Sequence, residues 1–172
     1  MLLLRADTFR RMFRSFDRTA FHLEVRDVYR VAEEAPPFQR FLDGEPDDFA
    51  WQRPWLELMR EVTESGRSVR RLRVVTAPHG DYTRWLLSIS GLNVEAGEDI
   101  RWLPRAATAG LPVAHDDFWL FDDRRVVFTL FEPDSSSAGG AMTEDPAIVR
   151  HCVRIRAALW AAGIPHDDYV KG

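Results

Sequence analysis

The sequence predicts an α/β domain in which a mixed sheet carries flanking helices. A β-branched run over residues 69–75 is followed, after Asp81, by Tyr82, Trp85, Leu86 and Ile89 at helical spacing, and then by a second apolar run over 100–103. A strand, a helix and a strand in that order form a βαβ unit with a parallel pair. Two further runs, 118–121 and 126–131, flank Asp122-Asp123-Arg124-Arg125 and read as a hairpin extending the same sheet. At 172 residues and 45% hydrophobic content, the chain has the length and the apolar material of one domain with a sizeable core.

The remaining elements follow in chain order. Asp7 is placed to cap a helix whose Phe9, Met12, Phe13 and Phe16 share one face, with Arg10, Arg11, Arg14 and Arg18 turned largely the other way. Strict alternation over 21–26, a turn at Asp27 and a second run over 28–31 predict a hairpin. A short helix around 38–42 stops at Gly44, and Trp51, Trp55, Leu58 and Val62 mark another, with Pro54 in its first turn and Gly66 past its end. Residues 1–66 thus precede a βαβ-plus-hairpin core over 67–132. The only low-complexity stretch, 134–140, is expected to be a mobile loop. Asp145 and Pro146 then open a helix within 143–162 along Ile148, Cys152, Ile155 and Leu159, ended by Gly163 and followed by a tail that Tyr169 docks.

Composition narrows the function. The net charge of −4 argues against a nucleic-acid binder acting through its overall field. The charge is nevertheless uneven: residues 1–30 hold seven Arg against four acids, 31–66 three against nine, and 67–84 five against Asp81 alone. Such patches suit a protein partner. The faces carrying Arg67, Arg70, Arg71 and Arg73 read most simply as solvated. Cys152 alone can form neither an internal disulfide nor a cysteine-based zinc site, and its spacing puts it on a buried stripe, which together point to the cytoplasm. The apolar start 2–4 is too short for a signal peptide, and no segment has the length of a membrane span. Gly-rich phosphate loops, Gly-x-Ser-x-Gly elbows and His-Glu-x-x-His helices are all lacking, so no cofactor is expected.

One stretch has catalytic spacing. In His115-Asp116-Asp117-Phe118-Trp119-Leu120-Phe121-Asp122, His115 and Asp122 fall where the His-x-Lys-x4-Asp motif of the phospholipase D superfamily has its His and Asp, while Asp117 stands in the lysine position. The order of elements over 67–132 also resembles one half of a phospholipase D-like domain. That resemblance implies a degenerate site, since the family's lysine holds phosphate charge and a carboxylate repels it by about 1 kcal/mol at about 4 Å in water, and by more in a drier site. The stretches Phe13-Arg14-Ser15-Phe16, Gly97-Glu98-Asp99-Ile100-Arg101-Trp102-Leu103-Pro104, Asp117-Phe118-Trp119-Leu120-Phe121-Asp122-Asp123 and Ile164-Pro165-His166-Asp167-Asp168-Tyr169 span nearly the whole sequence. Through them it resembles an uncharacterised actinobacterial family of unknown function, often encoded beside helix-turn-helix regulators.

These features favour a non-catalytic protein that senses a small ligand or engages a helix-turn-helix regulator. Arg101, Arg105, His115, Asp117 and Trp119 are its candidate binding residues. The competing enzyme keeps His115 as a phosphodiesterase nucleophile with Asp122, and Arg101 or Arg105 supplies the missing cation. His115 and Asp117, two apart, would share a face of an extended segment. The His-Asp-Asp triplets at 115–117 and 166–168 lack the local spacing of a metal motif, so no metal is assigned. A twofold site would make the chain a homodimer with Trp119 as its apolar anchor; otherwise Trp119 packs beneath the 146–162 helix.

Overall fold

In the computed structural model, residues 1–4 and 6–172 are described, with side chains for 1–4 and 11–172. The Asp7 cap and the placing of Phe9 and Arg10 lie outside the described side chains. The elements are β1 (Leu2–Leu4), α1 (Ala6–Ser15), β2 (Thr19–Glu24), α2 (Ala35–Asp43), α3 (Arg53–Glu64), β3 (Ser68–Val75), α4 (Asp81–Glu95) and β4 (Glu98–Pro104). Then follow β5 (Phe118–Phe121), β6 (Arg125–Phe131), β7 (Ser137–Thr143), α5 (Pro146–Ala162), β8 (Ile164–Pro165) and α6 (His166–Tyr169). The eight strands form one mixed sheet in the order β1-β7-β6-β5-β2-β3-β4-β8.

Strands β2, β3 and β4 are parallel, while β5 runs antiparallel to β2 on its other edge. β2 is therefore the place where the order reverses, and in open α/β sheets ligands lodge at the carboxyl ends of strands beside such a switch. Phe13, Leu56, Met59 and Val62 of α1 and α3 bury against Ala20, Val69, Trp119 and Phe121 on one face. Tyr82, Trp85, Leu86 and Ile89 of α4 pack on Val75, Ile100 and Trp102 of β3 and β4. On the opposite face α5 lays Val149, Cys152, Ile155 and Leu159 on Phe21, Leu23, Leu72 and Leu120. Its N-terminus is fixed by Asp145, whose carboxylate accepts from the backbone N–H groups of Ala147 and Ile148, as an N-cap does.

Two expectations are corrected. The 21–31 hairpin does not form: both edges of β2 are taken by β3 and β5, and beyond it Arg30 makes only an isolated bridge to Ser136. The 134–140 stretch largely becomes strand β7, paired with β6 and β1. Its small residues are needed for close approach rather than mobility. A Cβ on Gly140 would lie 2.9 Å from Val127 Cγ1, and Gly139 has φ +112° with Leu4 O only 3.0 Å from where a Cβ would stand. The opening leucines form the edge strand β1. Among the described residues, no helix is long and apolar enough to cross a membrane.

Candidate functional site

The hairpin carrying the degenerate motif is built as a structural joint. The turn between β5 and β6 closes through the Arg124 N–H to Phe121 O (3.0 Å), with Asp122 and Asp123 both left-handed at φ 52° and 55°. Aspartate tolerates that conformation better than most residues. The Asp122 carboxylate then accepts from the backbone N–H groups of Asp17 (2.7 Å), Arg18 (2.8 Å) and Thr19 (2.9 Å), tying the turn to the start of β2. Desolvation pushes its pKa up, but these three donors outweigh it and hold the carboxyl below its ordinary value.

Asp117, in the lysine position, is 1% exposed. Its Oδ1 accepts the Val25 N–H at 2.8 Å, and the Tyr29 hydroxyl lies beside it. Burial raises its pKa to about 6; Tyr29 and the Val25 N–H oppose the shift and the nearby Glu24 charge adds to it. The joint between Asp117 and Val25 bridges β5 and β2 at the switch point, at the carboxyl end of β2. His115 sits on an exposed bend rather than in an extended strand, so it does not share a buried site with Asp117.

The two arginines expected to supply positive charge are committed elsewhere. Arg101 lies on the α5 face, where its Nη1 donates to Trp160 O (3.0 Å) and its guanidinium stands 4.3 Å from the Trp160 ring centroid. Arg105 clamps the carboxyl ends of the parallel strands, donating to Val25 O (2.7 Å), Val74 O (3.3 Å) and Thr76 Oγ1 (3.1 Å) and pairing with Asp27 at 3.4 Å. Trp119 is buried, not exposed as a dimer anchor. It stacks on His22 at 4.1 Å and meets Phe13 edge-on at 4.7 Å, which also places it opposite α5 rather than beneath it. Trp119 is therefore not exposed to serve as the apolar anchor of a twofold interface.

Sequence reading misses the main polar feature, a charged layer inside the sheet's helical face. The register pairs His22 with Arg71 and Glu24 with Arg73, all pointing into the same layer. Glu24 accepts from Arg71 Nη1 (2.6 Å) and from Arg73 Nε. Arg71 Nε donates to Glu98 Oε2 (3.0 Å), and Glu98 Oε1 accepts from Trp55 Nε1 (2.5 Å) and Asn93 Nδ2 (3.1 Å). Arg73 Nη1 reaches Ser90 Oγ at 2.9 Å. Desolvation favours a neutral Glu24, but Arg73 and Arg71 overcome it and hold Glu24 well below the carboxylate range. Burial opposes the charge on Arg71, while Glu98 and Glu24 outweigh that and raise its pKa further. His22 is pushed down to about 3, chiefly by burial, so it is neutral; Nδ1 accepts from Arg71 Nη1 at 3.1 Å, leaving the ring proton on Nε2.

Both buried guanidiniums are thus balanced by buried carboxylates, and the layer offers no spare cation to a phosphate. The face holding Arg71 and Arg73 is the expected one, but it is packed rather than solvated. Among the described residues, no group of three or more His, Cys, Asp or Glu is arranged to hold a metal ion. His166 turns inward instead, its Nδ1 accepting from Trp102 Nε1 at 3.0 Å. Tyr169 docks the tail as expected, stacked on Trp102 at 5.8 Å with its hydroxyl 3.0 Å from His79 Nε2. Cys152 is buried on its stripe, and burial raises its thiol to about 11.

Residues 7–171 match the model of a family described as Domain of unknown function (DUF6879). No curated protein matches the chain. Among solved structures, it is similar to Nuc, a phospholipase D family member from Salmonella typhimurium, at TM-score 0.52 and 9% identity, covering 89% of this chain and 84% of Nuc. It is also similar to TrmBL2, described as an archaeal chromatin protein with a novel mode of DNA binding, at TM-score 0.50 and 10% identity, covering 91% of this chain. The chain corresponds to only 48% of TrmBL2. At these identities the likeness establishes the fold alone. It extends well beyond residues 67–132, the part in which the sequence suggested it.

Proposed function

We propose that this chain, which belongs to the DUF6879 family, is a non-catalytic accessory protein that binds a regulatory partner or a small ligand, the partner we favour being a helix-turn-helix regulator. The observation that carries this is the state of Asp117. Where phosphodiester chemistry needs a cation, the chain holds a carboxylate 1% exposed and fastened to the Val25 N–H. The two arginines that the sequence offered as replacement cations, Arg101 and Arg105, donate to carbonyls of the scaffold. An arrangement that resists phosphate while locking strands together serves binding better than phosphoryl transfer.

The fold's presence within about half of an archaeal chromatin protein supports a place beside DNA-binding machinery. The net charge of −4 favours a partner-mediated role there over direct contact with nucleic acid. For a small ligand, the switch point at the carboxyl ends of β2 and β3, where Asp117 and Arg105 sit, is the natural place. Co-expression with a candidate helix-turn-helix regulator, followed by affinity purification, tests the partner. A stoichiometric complex is expected; a regulator that elutes alone removes this partner.

A further inference from the structure

We infer that the outward face of α5 is a docking surface for an acidic helical segment of a protein partner. The inference rests on the binding-protein function proposed above and assigns it a surface. α5 runs seventeen residues, Pro146–Ala162, with no acidic side chain and with Arg150, Arg154 and Arg156 along it. Its inward stripe is spent on the core, and Arg156 is paired with Asp123. Arg150 and Arg154 are exposed, and among the described residues neither has an ion-pair partner. Both could have been neutralised cheaply by an acid one turn away, which is the usual way a solvated helix face is built.

The flank of α5 that turns from this row toward the sheet has an aromatic element. Half-buried Trp160 lies between two guanidiniums, Arg70 at 5.4 Å and Arg101 at 4.3 Å from its ring centroid. Tryptophan and arginine are the residue types that dominate interface energies, and guanidiniums held against a ring are presented with little rotamer freedom left to lose. Exposed Ala157 and Ala161 continue the Arg150–Arg154 row and allow another backbone close approach. Arg150 and Arg154, four residues apart, stand about 6 Å apart along the axis, the spacing of carboxylates at i and i+4 on a facing helix.

A protein segment fits better than a nucleic acid. The face is one local patch on a chain whose net charge is −4, and α3 on the opposite side exposes Glu57, Glu61 and Glu64. A short acidic helix meets only the patch, whereas a long polyanion also meets the repulsive field around it.

The test is fluorescence anisotropy at low salt with two labelled probes: a synthetic alanine helix bearing glutamates at i and i+4, and a short random-sequence DNA duplex. The full chain is compared with Arg150→Glu/Arg154→Glu and with Glu57→Arg/Glu61→Arg. Peptide binding is expected, weakened about tenfold or more by the α5 reversal and by added salt, and not weakened by the α3 reversal. Should the α5 reversal not fold, Arg150→Ala and Arg154→Ala are each expected to lower affinity severalfold without disturbing the helix. Absence of peptide binding, equal effects of the two reversals, or tighter binding of the duplex through the same arginines would overturn the inference. None of these results alters the co-purification outcome, so the two failures can be told apart.

Discussion

Replacing Asp117 with asparagine isolates the energetics of the buried joint between β5 and β2. Asparagine keeps an oxygen to accept the Val25 N–H but cannot ionise. The wild-type carboxyl is raised by burial from 3.8 to about 6. Between those values the folded chain holds a proton that the unfolded chain has released, so this group's contribution to stability falls as pH rises through the window. The shift of about two units corresponds to about 3 kcal/mol at most. His22 acts in the opposite sense: it is depressed to about 3, so its contribution is complete above pH 6.5 and fades as pH falls. The two trends partly cancel in wild type, and the difference between wild type and Asp117→Asn removes the histidine from the comparison. Urea denaturation across about pH 4 to 7 should show the variant matching wild type at the acid end and gaining up to about 3 kcal/mol by neutrality. Parallel profiles for the two proteins would mean that Asp117 ionises freely in the fold and that the joint is not desolvated.

Three further substitutions probe the frame around it. Glu98→Ala leaves half of the Arg71 guanidinium and the Trp55 and Asn93 donors unpaired, and should lower stability by about 3–5 kcal/mol in chemical denaturation. Asp122→Ala removes one acceptor from three backbone N–H groups and should cost about 2 kcal/mol, with hydrogen exchange at Asp17, Arg18 and Thr19 rising first. Trp119→Ala empties the space between His22 and Phe13 and should cost about 3–5 kcal/mol, while light scattering of the folded fraction stays unchanged because the ring lies in a core and not in an interface.

The parts of the fold visible in the sequence are those in which hydrophobic periodicity and capping agree. β3, α4 and β4, the β5–β6 hairpin and α5 with its Asp145 cap all declare themselves locally. β2 is harder to read, because Phe21-His22-Leu23-Glu24 alternates like a half-exposed hairpin strand, whereas its polar side is buried against arginines 47 and 49 residues away in sequence. No local pattern distinguishes a carboxylate facing water from one facing a buried guanidinium. The Ser- and Gly-rich stretch misleads for a related reason: its small side chains serve a tight approach between β7, β6 and β1 that only the tertiary structure creates. For the motif, sequence spacing finds the correct hairpin but not the burial of Asp117, and His115 and Arg101 are near in sequence without converging, since one sits on a bend and the other on the far face of the sheet.

Whether the motif hairpin is a joint or a catalytic site can be decided by turnover of a generic phosphodiester and of single-stranded DNA by the purified chain, beside His115→Ala. With Asp117 buried where a phosphate-binding cation belongs, no hydrolysis above background is expected from either protein. Hydrolysis by the wild type that disappears in His115→Ala would contradict the non-catalytic assignment and restore His115 as a nucleophile.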